Sequence, residues 1–205
     1  MKILYATTNQ AKFSVMKRTV APLDIQLIAL NALDCLIPKV EECGSTPLEN
    51  AQLKAKAYYQ AFYMPVFSCD SGLYFDEVSD SEQPGVYVRR VQGRELNDEE
   101  MIQYYSSLAG RYGGSLTARY RNAICLILNE QAVYCSMDLS LATEPFLLVS
   151  QPHPKRVAGF PLDSLSKDMA SGKYYYDLEG RELSSQALKQ GFRQFFAKAM
   201  ENVRE

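Results

Sequence analysis

The residue types that bind phosphate occur together at one turn near the start of the chain. Thr7, Thr8, Asn9 and Lys12 lie between a short apolar strand and a helix. Backbone N–H groups and the dipole at a helix N-terminus favour an anion, and hydroxyl, amide and ammonium groups can donate to phosphate. The segment has no glycine and is not a Walker loop. Taken alone, it is also explained by a plain capped turn.

Two acidic segments could supply a cation site. Glu41-Glu42 lies in a glycine-containing loop before a helix on which Asn50 and Lys54, four residues apart, share a face. Asp70 ends an apolar strand and precedes Ser71-Gly72, a position where open α/β sheets bind ligands. Clustered carboxylates favour Mg²⁺. A solvated helix face and a simple Asx turn remain the alternatives.

A third segment could recognise a base. In Gly159-Phe160-Pro161-Leu162-Asp163 the aromatic ring can stack on a base and the acid can accept a base N–H. A structural turn with a core Phe is the alternative. The only histidine, His153, lies between prolines in a turn-like segment. Histidine catalysis would depend on that one residue, so we expect carboxylates with Mg²⁺ to do the chemistry.

Composition limits the class of protein. The chain has 205 residues, 47% hydrophobic and 22% charged, as in one globular domain. Its net charge of -2 excludes the basic field that binds nucleic acid or an anionic membrane. No apolar run approaches the roughly 20 residues of a membrane span. The five cysteines lack C-x-x-C spacing, which is typical of free thiols, and we expect a cytoplasmic protein.

Periodicity and capping signals predict alternating strands and helices, followed by a block of longer strands. Strands are predicted over 2–6, 25–30, 64–69 and 73–75, with a turn at 70–72, and near 116–128, 132–142 and 145–150. Helices are predicted to end near Val20, to run from Thr46 to about Tyr63, and to begin at Asn97 and near Ser185. This order favours an α/β fold with a mixed sheet.

In this order the segments resemble the motifs of the inosine triphosphate pyrophosphatase family, also called XTP/dITP diphosphatases. The resemblance extends over nearly the whole chain, and the ordered set is far more specific than any one motif. The matching stretches are Ala6–Lys12, Glu41–Ala55, Asp70–Leu73, Pro84–Tyr87, Arg121–Cys125 and Gly159–Asp163.

The resemblance implies a fold and a reaction. It implies an elongated mixed β-sheet with flanking helices, in two lobes around a central cleft, formed by residues 1–205 as a single domain and usually a homodimer. It implies hydrolysis of a non-standard purine nucleoside triphosphate, such as ITP, dITP or XTP, to the monophosphate and diphosphate, with Mg²⁺ as cofactor. Attack at the α-phosphorus needs charge neutralisation and an aligned water more than covalent help.

The resemblance also implies residue roles. Thr7, Thr8, Asn9 and Lys12 would hold the triphosphate, with Ser71 nearby. Glu41 and Asp70 would bind Mg²⁺, Asp70 would activate the water, and Lys54 would contact phosphate or order the carboxylates. The implied base-binding residues are Phe160, Asp163, Arg181 and Gln186.

Three departures from the family pattern bear on this assignment. Cys69 stands where the family usually has an acid before Asp70, and a thiol is a poor ligand for a hard cation. Gln186 replaces the histidine of a Ser-His-Arg triplet whose arginine is lost, although Arg181 stands where the family has a lysine. Pro161-Leu162 replaces a Gly-Tyr pair and stiffens the loop. These changes predict altered or relaxed base preference.

Three other functions remain open on the sequence. The chain could bind nucleotides with weakened turnover, as Cys69 and the lost arginine suggest. It could hydrolyse modified pyrimidine nucleotides, as Maf-like enzymes do. It could also be a structural or interaction protein on the same fold, because a fold does not imply a function.

Overall fold

The computed structural model describes residues 1–179 and 185–201. They form two compact units. The first unit contains Met1–Ser71, Arg121–Thr143 and the described C-terminal residues 185–201. The second contains Gly72–Tyr120 and residues 144–179. The chain passes between the units within two long strands, at 71–72 and at 120–121, and again outside any strand at 143–144.

The described residues form a mixed α/β structure, as the sequence predicts. In chain order its strands and helices are β1 (Lys2–Tyr5), α1 (Gln10–Val20), β2 (Gln26–Ala29), α2 (Pro47–Phe62), β3 (Val66–Phe75), β4 (Arg90–Val91), β5 (Arg94–Glu95), α3 (Asp98–Arg111), β6 (Ser115–Ile127), β7 (Val133–Ser136), β8 (Phe146–Val149), β9 (Ser166–Lys167) and α4 (Gln186–Glu201). No described helix is both long and apolar enough to cross a membrane.

The sheet of the first unit is buried on both faces. β1 pairs in parallel with β2 and β3, and β7 pairs antiparallel with β6. Successive side chains of a strand point to opposite faces. Ile3 and Tyr5 accordingly join a cluster with α1 and α4, whereas Leu4 joins a second cluster with α2. Burial on both faces explains why β1 is apolar from Ile3 to Tyr5.

Helix α4 packs closely against the turn after β7. Its apolar stripe, Leu188, Phe192 and Phe196, is buried at the expected helical spacing. A Cβ on Gly191 would overlap the carbonyl oxygen of Ser140 and lie 2.8 Å from its carbonyl carbon. Only glycine permits this approach of helix to backbone.

The second unit is built around α3. β8 pairs antiparallel with β6 and β9, and β4 pairs with β5 as a short hairpin. Asn97 caps α3 in a capping box with Glu100. Tyr105 and Leu108 on α3 pack against residues of β6 and β8 in one apolar cluster.

The sequence predictions fail at three places. The predicted turn at 70–72 is wrong, because β3 runs unbroken from Val66 to Phe75. Gly72 is needed there for a close approach, since a Cβ on it would lie 2.9 Å from the carbonyl carbon of Gly85. The strand predicted over 132–142 ends at Ser136, and a 3-10 turn follows at Leu139–Leu141. The short strands β4, β5 and β9 carry too few residues to show a period.

Candidate functional site

The candidate site is centred on Asp70 in the middle of β3. Its Oδ2 accepts a hydrogen bond from Asn50 Nδ2 at 3.1 Å, and its Oδ1 accepts one from Lys54 Nζ at 3.3 Å. Both donors come from α2, where residues four apart lie on one face, as the sequence predicts. The side chain of Asp70 is only 14% exposed. Two donors therefore hold a mostly buried carboxylate.

Local hydrogen bonds fix the start of α2, the helix that carries both donors to Asp70. Thr46 caps the helix, and Glu49 completes the capping box. The carboxylate of Glu49 also accepts from the Ser45 hydroxyl at 2.8 Å and from the Ser45 and Thr46 N–H groups. These hydrogen bonds lower the pKa of Glu49 below its ordinary value. The bond from the Ser45 hydroxyl is the largest cause, and the bonds from the two backbone N–H groups add to it.

Asn50 connects this helix start to the acid. It is 3% exposed, and its Oδ1 accepts from the Gly44 N–H at 2.8 Å while its amide donates to Asp70. A Cβ on Gly44 would lie 2.7 Å from that Oδ1. The loop can therefore approach the Asn50 side chain this closely only because residue 44 is glycine. Asn50 was not predicted as a site residue, although its spacing from Lys54 was the signal that could have found it.

Lys54 lies between two carboxylates. Its Nζ is 2.9 Å from Glu42 Oε2 and 3.3 Å from Asp70 Oδ1. The lysine side chain is 13% exposed and that of Glu42 is 40% exposed. The neighbouring Glu41, the predicted metal ligand, is exposed and makes no hydrogen bond or ion pair within residues 1–179 and 185–201. Of the two adjacent glutamates, Glu42 is the one that contacts Lys54, the lysine that also binds Asp70.

The serine after Asp70 is held by a strand that the sequence did not link to it. Ser71 Oγ donates to Asn122 Oδ1 at 2.7 Å, and Asn122 Nδ2 donates to the Leu141 carbonyl oxygen at 2.6 Å. Asn122 lies within the Arg-Asn-Ala-Ile-Cys stretch on β6. That motif was the available signal, but only the pairing of distant segments brings Asn122 to Ser71.

The predicted phosphate-binding turn forms the N-terminus of α1. Asn9 is the N-cap, and its Oδ1 accepts from the Lys12 N–H at 3.0 Å. Thr7 Oγ1 accepts from the Asn9 N–H at 3.2 Å, while Thr8 is exposed. The segment is therefore a capped turn, as the simpler interpretation predicts. The capping bonds use the side-chain oxygens of Thr7 and Asn9 as acceptors. The hydroxyl, amide and ammonium hydrogens of this turn take no part in these bonds and could donate to an anion.

The pKa of Cys69, the residue before Asp70, is set by burial and by neighbouring charges. Burial raises the pKa of its thiol to about 12, opposed first by the charge of Lys12, then by a hydrogen bond with Tyr5 and the charge of Lys54. The negative charge of Asp70 adds to the rise. Lys12, Lys54 and Asp70 thus all act on the pKa of this one thiol. The neutral thiol is a poor ligand for a hard cation.

The predicted base-binding residues are distributed over both units. Phe160, 48% exposed, directly precedes the 3-10 turn Pro161–Ser164, in which the Asp163 N–H donates to the Phe160 carbonyl oxygen at 3.3 Å. Both belong to the second unit. Gln186 is the exposed first residue of α4 in the first unit, and Arg181 lies outside the described residues. The roles of all four stay predictions.

The described part of the chain contains no preformed set of metal ligands. Within it, no three His, Cys, Asp or Glu side chains come together as a ligand set. The carboxylates of Asp70 and Glu42 do contact one common group, the ammonium of Lys54.

Comparisons with known proteins agree with the motifs. A model of the Ham1 family matches residues 3–139. The dITP/XTP pyrophosphatase of Oceanobacillus iheyensis is 39% identical over 102 residues, 50% of this chain and 51% of that protein. The dITP/XTP pyrophosphatase of Christiangramia forsetii is 36% identical over 129 residues, 62% of this chain and 65% of that protein. The chain spans about half the length of the first relative, 51%.

Solved structures share the fold. A HAM1 protein from Coxiella burnetii matches with a TM-score of 0.74 at 24% identity, over 98% of this chain and 99% of that one. The Staphylococcus aureus Ham1 protein matches with a TM-score of 0.67 at 22% identity, over 100% of this chain and 98% of that one. Because the family model covers residues 3–139 of 205, the chain belongs to the Ham1 family.

Proposed function

We propose that this chain is a Mg²⁺-dependent nucleoside-triphosphate diphosphatase. It converts a nucleoside triphosphate and water to the monophosphate and diphosphate, and its substrates are non-standard purine nucleotides such as ITP, dITP and XTP. The observation that carries the proposal is the mostly buried Asp70 carboxylate held by Asn50 and Lys54. The relatives, which are dITP/XTP pyrophosphatases, support the same reaction.

The donor set fits a hard divalent cation. Asp70 and Glu42 both reach the Lys54 ammonium, so two carboxylates already converge on one positive charge. Oxygen ligands of this kind suit Mg²⁺. We propose Asp70 and Glu42 as the acidic ligands, with the exposed Glu41 as a further candidate. Bound there, Mg²⁺ would neutralise phosphate oxygens and make a coordinated water more acidic.

The protein groups supply the rest of the chemistry. In this proposal Thr7, Thr8, Asn9 and Lys12 bind the triphosphate at the start of α1, where the helix dipole favours an anion. Asp70 takes the proton of the water that attacks the α-phosphorus. The charge of Lys12 stabilises the departing diphosphate.

Ser71 and Lys54 assist by position. The side-chain Oδ1 of Asn122 accepts from the Ser71 hydroxyl and fixes its direction, and Ser71 lies next to Asp70 in sequence. Lys54 keeps the Asp70 and Glu42 carboxylates close together by binding both. None of these steps uses a histidine.

Base recognition is proposed to be relaxed. Phe160 would stack on the base, Asp163 would accept a base N–H, and Gln186 would donate one hydrogen bond, with Arg181 adding charge. The arginine that the family triplet carries is missing after Gln186. Losing one hydrogen-bonded contact weakens discrimination by about 1–3 kcal/mol, or roughly 10- to 100-fold.

The setting of the reaction is also a proposal. We propose a homodimer in the cytoplasm. All five cysteines are free thiols, which supports a reducing compartment. The net charge of -2 supports a small-molecule substrate over nucleic acid or a membrane surface.

A panel of nucleoside triphosphates with Mg²⁺ tests the proposal. We expect diphosphate release from ITP, dITP and XTP, and much slower release by the Asp70→Asn variant. The matched control is Asp24→Asn, an exposed acid beyond the far end of the 11-residue α1. That helix separates Asp24 from Asn9 by about 16 Å. Release by Asp70→Asn at the wild-type rate would refute the assigned chemistry.

The same panel tests a second candidate function, nucleotide binding with weakened turnover. The half-buried, neutral thiol of Cys69 favours it, because the thiol stands where the family has an acid. A micromolar binder at saturating concentration should raise the free energy of unfolding by a few kcal/mol. Thermal stabilisation by ITP without diphosphate release would select this candidate. Preference for pyrimidine triphosphates would select the pyrimidine-specific alternative.

A further inference from the structure

Two cysteines lie directly opposite each other on neighbouring strands of the first unit. β6 and β7 pair antiparallel in a register that places Cys125 against Cys135. Opposite residues of an antiparallel pair have Cα atoms about 4.5 or 5.5 Å apart. Both spacings fall within the range of about 4.4–6.8 Å that a disulfide spans. The strand register therefore places the two residues at a Cα spacing that a disulfide can span.

The two side chains already meet. Their Sγ atoms are 2.8 Å apart and share a hydrogen bond, and both cysteines are free thiols. Cys125 is 1% exposed, whereas Cys135 is exposed on β7. One thiol can therefore be reached by a small molecule from solvent, and the other is shielded behind it.

Exposure decides which thiol reacts first, because a small disulfide in solvent reaches Cys135 and not the buried Cys125. The hydrogen bond between the sulfurs is the largest cause in lowering the pKa of Cys135; burial opposes it, and a hydrogen bond with the Gln52 side chain adds to the lowering. The same bond, followed by burial, raises the pKa of Cys125 well above its ordinary value. The exposed sulfur is thus the more acidic of the two. The thiolate is the attacking group in exchange, so the more acidic and accessible thiol attacks first.

We propose that Cys125 and Cys135 form an oxidisable dithiol, a modification site that closes to an intrachain disulfide by exchange with a small-molecule disulfide. The inference rests on the strand register and the sulfur contact, and it is independent of the proposed enzymatic function.

The exchange proceeds in two displacements. The Cys135 thiolate attacks one sulfur of the small disulfide, a mixed disulfide forms, and one small thiolate leaves. Cys125 then gives its proton to that thiolate and attacks Cys135 Sγ, and the second small thiolate leaves and takes a proton from water. The protein pair loses two electrons, and the small disulfide is reduced to two thiols.

The other cysteines lack this arrangement. Cys35 and Cys43 are exposed thiols in the loop between β2 and α2. The pKa of Cys69 is raised to about 12 by burial, so very little of it is a thiolate at neutral pH. None of these three thiols has a hydrogen bond to another cysteine within the described residues, whereas the sulfurs of Cys125 and Cys135 are in contact.

The test is oxidation of the full chain in buffers of graded oxidised to reduced glutathione, followed by denaturation, alkylation and mass spectrometry. A protease that cuts after glutamate separates Cys125 from Cys135 at Glu130. We expect their two peptides to stay joined after oxidation and to separate on reduction. The linked product should form at lower oxidant ratios than any other cysteine pair.

Two variants sharpen the test. Cys135→Ser, at an exposed strand position, should abolish the linked peptides and leave Cys125 alkylated after denaturation. Cys35→Ser is the matched control and should leave the link intact. A stable glutathione adduct on Cys135 beside a free Cys125 would overturn the proposal. So would two unlinked, fully alkylated thiols throughout the redox series.

Discussion

Replacement of Asn50 by alanine is the most direct test of how Asp70 is held. The variant loses two hydrogen bonds, one from the Gly44 N–H at 2.8 Å and one to Asp70 Oδ2 at 3.1 Å. Asn50 is 3% exposed, so water cannot easily replace its amide. The helix itself should tolerate the change, because alanine is the best helix former.

The magnitude follows from the groups left behind. An unsatisfied buried donor or acceptor costs about 1–3 kcal/mol, and more for a charged group. Gly44 loses a buried acceptor, and the Asp70 carboxylate keeps Lys54 as a donor. We therefore expect Asn50→Ala to lower the free energy of unfolding by about 2–4 kcal/mol. A domain with a typical stability of about 5–15 kcal/mol would remain folded at room temperature.

Equilibrium unfolding in urea measures this loss. The matched control is Gln60→Ala, which removes an exposed amide from the same helix and should change the stability by less than about 0.5 kcal/mol. If Asn50→Ala and Gln60→Ala were equally stable, the hydrogen bonds of Asn50 would not hold the helix start to β3. On the proposed function, Asn50→Ala should also lower kcat for diphosphate release more than it changes KM.

Three further predictions concern packing, pH and thiol reactivity. Gly191→Ala should cost about 1–3 kcal/mol because its Cβ would overlap a neighbouring carbonyl group, whereas Gly110→Ala, with nothing nearer than 4.0 Å to its Cβ in helix α3, should be neutral or stabilising in thermal melts. The lowered pKa of Glu49 means that its contribution to stability is complete above its ordinary value of 4.5 and is lost as the pH falls through the folded value. Glu49→Gln should therefore flatten the fall in stability below about pH 5, and an unchanged acid profile would contradict this. Because its pKa is raised to about 12, Cys69 should react with iodoacetamide at pH 8 far more slowly than the exposed thiols, and equal labelling by peptide mapping would refute the burial argument.

The sequence alone determined the local structure around the site. The capping boxes at Thr46 and Asn97 and the shared face of Asn50 and Lys54 depend on residues within four positions of each other. Such bonds form wherever the helix forms, so spacing predicts them. The ordered motifs likewise indicate the family without the tertiary structure, because residues at fixed spacings can be recognised in the sequence itself.

Only the tertiary structure decided which distant residues meet. It selected Glu42 over Glu41 as the partner of Lys54, joined Ser71 to Asn122, and continued β3 through a segment that favours a turn by composition. It also set Cys125 against Cys135. These contacts depend on the register of paired strands and on the path of a loop. A one-residue slip in register turns every side chain to the opposite face, and no local preference in the sequence specifies that register.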